Sequence, residues 1–405
     1  MNQQSSLSVL AAPDSASQLP TYEIRVPPRR ARLPGLDEAR AVAIGALILA
    51  HFAPAILERG LVGDGIATAI LLIARFATPG FIVIFGVSAG LVYAPDFAEG
   101  RAAAGRRRLR RRVRLLLISS LLVAAPGYAA AWRSGDLDLG GFILASYGIL
   151  TFYLLAVCSL LVFLPVLAKR PSAWLVVVGT GMWAAGVALA MVPWIDGERI
   201  GHLGLARLYF VSGAYAYLPL MGSALLVIPI GAALRRGMRG GGIGRTVQRL
   251  AVGACAAACL ALAAGYLQGE LQMVEITSGR LKAPPRPWYF ALFGSTALLM
   301  FAVFYAASSV QWVSRALTPV RLVGQCALPI YVAHAFVLPL SSWLESRGAG
   351  VLHLIFPVAL FLAVVVFFVM RRHLQNRANT RAPRQAGRAR EGAVARLAPA
   401  GTGTA

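Results

Sequence analysis

In the stretch EARAVAIGALILAHFAP (38–54), Arg40 and His51 stand eleven positions apart within an otherwise apolar run. At about 100° per residue that interval is about three turns, so both side chains leave one helix face, roughly 16 Å apart along the axis. A guanidinium can hold an anionic group, and a neutral imidazole can take a proton near pH 7. One wall carrying both suits a narrow passage in which a held anion meets a base. The alternative is a charged anchor at one end of the helix and an interfacial histidine at the other.

A second histidine lies in GQCALPIYVAHAFVLPL (324–340), where Tyr331 and His334 share a helix face between Pro329 and Pro339. The prolines predict a broken helix, tolerated at membrane depth only against protein or a water-filled cavity; the alternative reading of His334 is a core histidine bonded to a backbone carbonyl. Arg75, in IARFATPGFIVIFGVSAGLVY (73–93), sits too deep in its run to be an end residue and reads as a buried or cavity-facing cation. The run RRRLRRRVR (106–114) supplies Arg107, Arg108, Arg110 and Arg111, which suit anionic lipid or a nucleotide phosphate.

Lys282 is one of two lysines among 37 arginines, and it precedes Pro284, Pro285 and Trp288 in SGRLKAPPRPWYFALFG (278–294). A stiff, aromatic-rimmed turn of this kind is a candidate ligand-binding lip, or else an interfacial aromatic belt. The loop WIDGERIGHLGLARLYF (194–210) adds Asp196, Glu198, His202 and Tyr209 as weaker candidates for a sugar-like ligand.

The elements that must position these residues are transmembrane helices. The chain has 405 residues, 58% hydrophobic and 14% charged, well below the quarter charged expected of a soluble domain. Ten apolar runs are long enough to span a bilayer: 41–57, 66–93, 113–132, 142–168, 173–193, 213–234, 247–268, 288–311, 322–343 and 351–370. With the gaps numbered alternately, thirty basic residues fall on the inner side and eight on the outer. The positive-inside bias predicts both termini in the cytoplasm and a multi-pass protein of the inner, cytoplasmic membrane. It also accounts for the net charge of +23 without a nucleic-acid partner.

No signal peptide is visible in the first twenty residues. Residues 1–32 and 373–405 read as disordered cytoplasmic tails flanking a transmembrane domain over 33–372. The expected fold is all-α, a polytopic bundle of about ten helices. The four cysteines read as small packing residues, with no disulfide and no metal site. All sixteen acidic residues lie outside the ten runs, which argues against an ion-coupled transporter.

GLDEARAVAIGALILAH resembles the opening of the acyltransferase-3 family of integral membrane acyltransferases, which carries an arginine–ten residues–histidine motif. ARFATPGFIVIFGVSAG is similar to that family's second span, RRRLRRRVRLLL to the basic approach to its third, and GQCALPIYVAH to its late Tyr-x-x-His span. The chain departs from the pattern at Glu38 and Ala41, where glycines are usual, at Ala89 after Ser88, and in lacking the serine before Tyr331. The resemblance implies transfer of an acyl group, commonly acetyl, from cytoplasmic acyl-CoA to a hydroxyl of a carbohydrate or other extracytoplasmic acceptor.

In that scheme Arg40 and Arg107, Arg108, Arg110 and Arg111 hold the donor and His51 is the general base. Arg75 stabilises the oxyanion, His334 and Tyr331 orient His51 or the acceptor, and Lys282 and Trp288 bind the acceptor. The partners are membrane lipid, acyl-CoA as co-substrate and a glycan, with no permanently bound cofactor. The alternatives are a lipid-linked-sugar flippase or other transporter, and a non-catalytic partner in glycan assembly.

Overall fold

The computed structural model describes residues 33–57, 63–135, 139–193, 202–348 and 352–397. Of the chain's two units, Met1–Leu33 and Pro34–Ala405, the second contains all the helices among the described residues. In order these are α1 (Leu36–Leu57), α2 (Asp64–Arg75), α3 (Ala77–Val92), α4 (Ala94–Ala98), α5 (Ala102–Ser134), α6 (Leu139–Ala145), α7 (Ile149–Leu167), α8 (Ser172–Met191) and α9 (His202–Arg207). A π-helical turn, Leu208–Ser212, follows. The chain continues with α10 (Tyr217–Arg239), α11 (Ile243–Leu267), α12 (Met273–Ser278), α13 (Pro287–Ala307), α14 (Gln311–Ala316), α15 (Thr318–Gln325), α16 (Ala327–Ser346) and α17 (Leu352–Leu397). No strand occurs among the described residues. The fold is all-α.

Among the described residues, eight helical stretches are long and apolar enough to cross a membrane, and a bent pair makes nine. They coincide with nine of the ten expected runs. The first run, 41–57, falls within α1, whose residues from Ala53 onward have side chains outside the described set. Their outer faces carry large apolar residues in the open: Leu260, Leu267, Val303, Phe356 and Phe367 are all exposed. In water such a surface would aggregate; in a bilayer it meets hydrocarbon, so this is a multi-pass membrane protein.

What holds the centre together is smallness. The α2–α3 stretch is the most enclosed span, with 61% of its apolar window buried, against 11% in α17. α3 runs along α10 through Gly86, Gly90 and Gly231. A Cβ on Gly231 would fall on the Val87 carbonyl oxygen, and one on Gly90 would fall on that of Ile228. Such close approach yields dispersion contacts that lipid cannot supply. Gly231→Val is expected to cost about 1–3 kcal/mol by overpacking. The readout is the fraction of protein still monodisperse in detergent after heating, and wild-type survival would reject this seam as a determinant of stability.

Two sequence expectations change. The break in the ninth run lies at Cys326, where α15 and α16 meet at 72°, and not at Pro329. Pro329 falls in the opening turn of α16, where a missing N–H costs nothing, and Pro339 is accommodated inside that helix. Residues 373–397, expected to be disordered, continue α17 as helix, consistent with the strong helix propensity of alanine and arginine. Residues 1–32 and 398–405 of the expected tails lie outside the described residues.

Glu38, one of the departures from the family pattern, is fully buried. It accepts from the Gly35 N–H at 2.9 Å and from Arg321 Nε on α15 at 2.8 Å. α15 comes so near that a Cβ on Gly324 would overlap the Asp37 carbonyl. The glutamate therefore ties the first helix to the one before the bend.

Candidate active site

The first helix carries Arg40 and His51 without interruption. Arg40 Nη1 donates to Asp37 Oδ1 at 2.7 Å, one turn earlier, and its Nη2 donates to Ser88 Oγ on α3 at 3.2 Å. Both bonds fix the plane of the guanidinium, and the second uses the serine of the second-span motif. Tyr153 of α7 lies within electrostatic reach of Arg40 and of Arg112 on α5, and its ring sits edge-on to Phe85 at 5.1 Å. Arg40 and Ser88, joined by their hydrogen bond, form the basic, hydroxyl-bearing end of this stretch.

Farther along α1, the His51 ring meets His334 of α16 with centroids 5.0 Å apart and planes tilted by 43°. Tyr331 stands 4.6 Å from His334 on the other side. His334 is buried, whereas His51 is accessible. The Nδ1 of His334 bonds the Tyr331 carbonyl oxygen. A carbonyl cannot donate, so Nδ1 carries the proton, which leaves Nε2 of the neutral ring as an acceptor. The bend at Cys326 delivers α16 to α1 at this level.

The third group comes from the loop between α12 and α13. Lys282 Nζ lies 3.4 Å from the Tyr215 hydroxyl oxygen and 4.4 Å from the centre of that ring. It is also within electrostatic reach of His51. Tyr215 in turn donates its backbone N–H to the Tyr147 hydroxyl at 2.7 Å, and Tyr147 packs edge-on against Tyr209 of the π turn at 5.0 Å. Irregular backbone of this kind occurs at membrane depth where it is buried in protein or lines a cavity.

Of the residues singled out from sequence, His51, His334 and Tyr331 meet in one cluster, Arg40 lies three turns earlier on the helix that carries His51, and Lys282 lies against Tyr215. The other candidates do not join them. Arg75 donates through Nε and Nη2 to the Thr277 carbonyl at 3.1 and 2.6 Å, while its own carbonyl accepts from the Tyr289 hydroxyl. Its cation caps the last turn of α12, and Gly279, at φ +80° directly over the guanidinium, leaves room for it. Trp288 is buried, donates to Glu270 at 2.6 Å and packs on Gly265. Both residues hold the loop that presents Lys282.

Arg108 is committed to Asp96, a buried carboxylate that Arg101 also reaches at 3.2 Å. Arg107, Arg110 and Arg111 are exposed on α5. Beside the Asp96 cluster, Arg239 of α10 pairs with Glu99 at 2.5 Å, and that bond holds Glu99 below the usual carboxylate range. Asp196 and Glu198 lie outside the described residues.

Two residues near the site carried no sequence signal: Tyr153 and Tyr215. An aromatic residue in an apolar run is indistinguishable from lipid-facing bulk until its partner on another helix is known.

A family model described as an acyltransferase domain matches residues 33–372. No curated protein and no solved structure matches the chain.

Proposed function

Starting from the chain's membership of the acyltransferase-3 family, shown by a match over 33–372, we propose that this membrane acyltransferase moves an acyl group, commonly acetyl, from cytoplasmic acyl-CoA to a hydroxyl on an extracytoplasmic carbohydrate. The observation that supports this reading best is the contact of His51 with His334, on the same unbroken helix as the doubly held Arg40.

The chemistry runs as one proton-coupled exchange. A ring nitrogen of His51 takes the proton of the acceptor hydroxyl as that oxygen forms a bond to the thioester carbonyl carbon. The carbon–sulfur bond then breaks, and the leaving thiolate recovers the proton from the imidazolium. His334, with Nδ1–H fixed on a backbone carbonyl, offers only an acceptor nitrogen to its surroundings and so selects the orientation of its neighbour. Arg40 holds an anionic group of the donor, and exposed Arg107, Arg110, Arg111 and Arg112 form the basic approach. The membrane is the inner one, with both termini cytoplasmic.

Mass spectrometry of cell-envelope glycans and exported metabolites, with and without the protein, tests the reading. A +42 Da difference for acetyl supports it; identical profiles reject it. The arginines separate into two classes. Arg112→Gln is expected to raise the KM for acyl-CoA about tenfold, the effect of losing one charge-assisted bond, with folded yield unchanged. Arg108→Gln is expected to lower folded yield instead, because it removes one of the arginines that pair with buried Asp96. Titration of acyl-CoA against purified variants, alongside gel filtration, distinguishes the two; equal KM effects would dissolve the division.

A further inference from the structure

We propose that the acceptor is an anion: a carboxylate or phosphate on it pairs with Lys282 beside Tyr215 while a neighbouring hydroxyl reaches His51. This inference rests on the acyltransfer reading above and names its substrate class.

The loop 278–286 carries three cations, and their partners differ. Arg280 pairs with Glu275 at 3.4 Å and Arg286 with Glu270 at 3.1 Å. Lys282, between them in sequence, has no carboxylate partner among the described residues; its ammonium donates to the Tyr215 hydroxyl and lies near that ring. A phenol ring offsets only part of the desolvation of a cation held in a half-buried aromatic setting. An incoming anion would supply the rest.

The placement is also built. The Lys282 N–H donates to the Gly279 carbonyl at 3.1 Å, the Arg286 N–H to the Leu281 carbonyl at 2.9 Å, and Leu281 is buried. Arg75 anchors the preceding helix through Thr277. On the facing side, Tyr215 is braced by Tyr147 and through it by Tyr209.

In a chain that uses arginine 37 times, a lysine at this point supplies a compact charge with rotatable donors. Such a charge fits either oxyanion without demanding the planar, paired geometry a guanidinium prefers. An anion held by Lys282 beside Tyr215 fixes the acceptor's scaffold while its hydroxyl is presented to His51.

The test uses full-length protein in membranes with acetyl-CoA. The acylated product made by the wild-type chain is identified by mass spectrometry, and its unacylated form is purified as acceptor. The product is expected to carry an acidic group. Lys282→Met is expected to raise the KM for this acceptor tenfold or more, with kcat and the KM for acetyl-CoA within about threefold, and Lys282→Arg to recover most of the loss.

If Lys282→Met fails to fold, the wild-type enzyme gives the same answer with a neutralised acceptor. Amidation of carboxylates or phosphatase treatment should raise KM equally, and whichever does so tells carboxylate from phosphate. A neutral product, an unchanged KM with Lys282→Met, or a loss confined to kcat overturns the inference while leaving acyl transfer intact. Absence of any acylated product overturns both.

Discussion

The His51→Ala protein is expected to insert and purify like wild type while forming acylated product about 10³-fold more slowly. Removing a positioned base costs typically 10²–10⁴ in rate. The fold should not suffer, because the imidazole is accessible and its recorded neighbour, His334, is already bonded to the Tyr331 carbonyl. Release of CoA from membranes supplied with acetyl-CoA and acceptor gives the rate, and gel filtration gives the fold. Retention of more than a tenth of wild-type turnover would remove His51 from proton transfer. A flippase, by contrast, would go on moving its lipid-linked sugar.

The largest effect on stability is expected at Arg321, and its size should depend on which partner is removed. Glu38 is fully buried, whereas 27% of the Arg321 side chain is exposed. Arg321→Met strands a carboxylate with no route to water and is expected to cost about 3–5 kcal/mol. Glu38→Gln leaves a guanidinium that can turn toward solvent, at a smaller cost. The double variant should recover much of the first loss, because neither charge remains to be compensated. Thermal survival in detergent ranks the three, and a Glu38→Gln protein weaker than Arg321→Met would contradict the stranded-charge argument.

The helices were legible because insertion into lipid requires long apolar runs, and such runs are visible in one dimension. The Arg40–His51 alignment was legible for a related reason: eleven residues close on whole turns, and α1 has no break to spoil the count. Tyr331 and His334 followed from the same arithmetic.

What escaped depends on contacts between distant segments. Arg75 reads as a buried cation in search of a chemical role until the Thr277 carbonyl, 202 residues away, accepts from two of its three nitrogens. Trp288 reads as a rim aromatic until Glu270 and Gly265 claim it. Glu38 looks like an erosion of a glycine motif, and its meaning lies 283 residues downstream. The bend at Cys326 was placed at Pro329 because proline is the sequence's only visible breaker, although an opening helical turn accepts it.

The tie between α1 and α15 also bears on biogenesis. At roughly 5–20 residues per second, a ribosome that has just threaded Glu38 into the translocon needs roughly 15–60 s to deliver Arg321. For that interval Glu38, at the entrance of the opening helix and outside its apolar run, waits without its arginine, so nearly the whole polypeptide must be made before its beginning can settle. A nascent chain interrupted upstream of Arg321 is left with a loose first helix, a natural mark for membrane proteases that clear incomplete products.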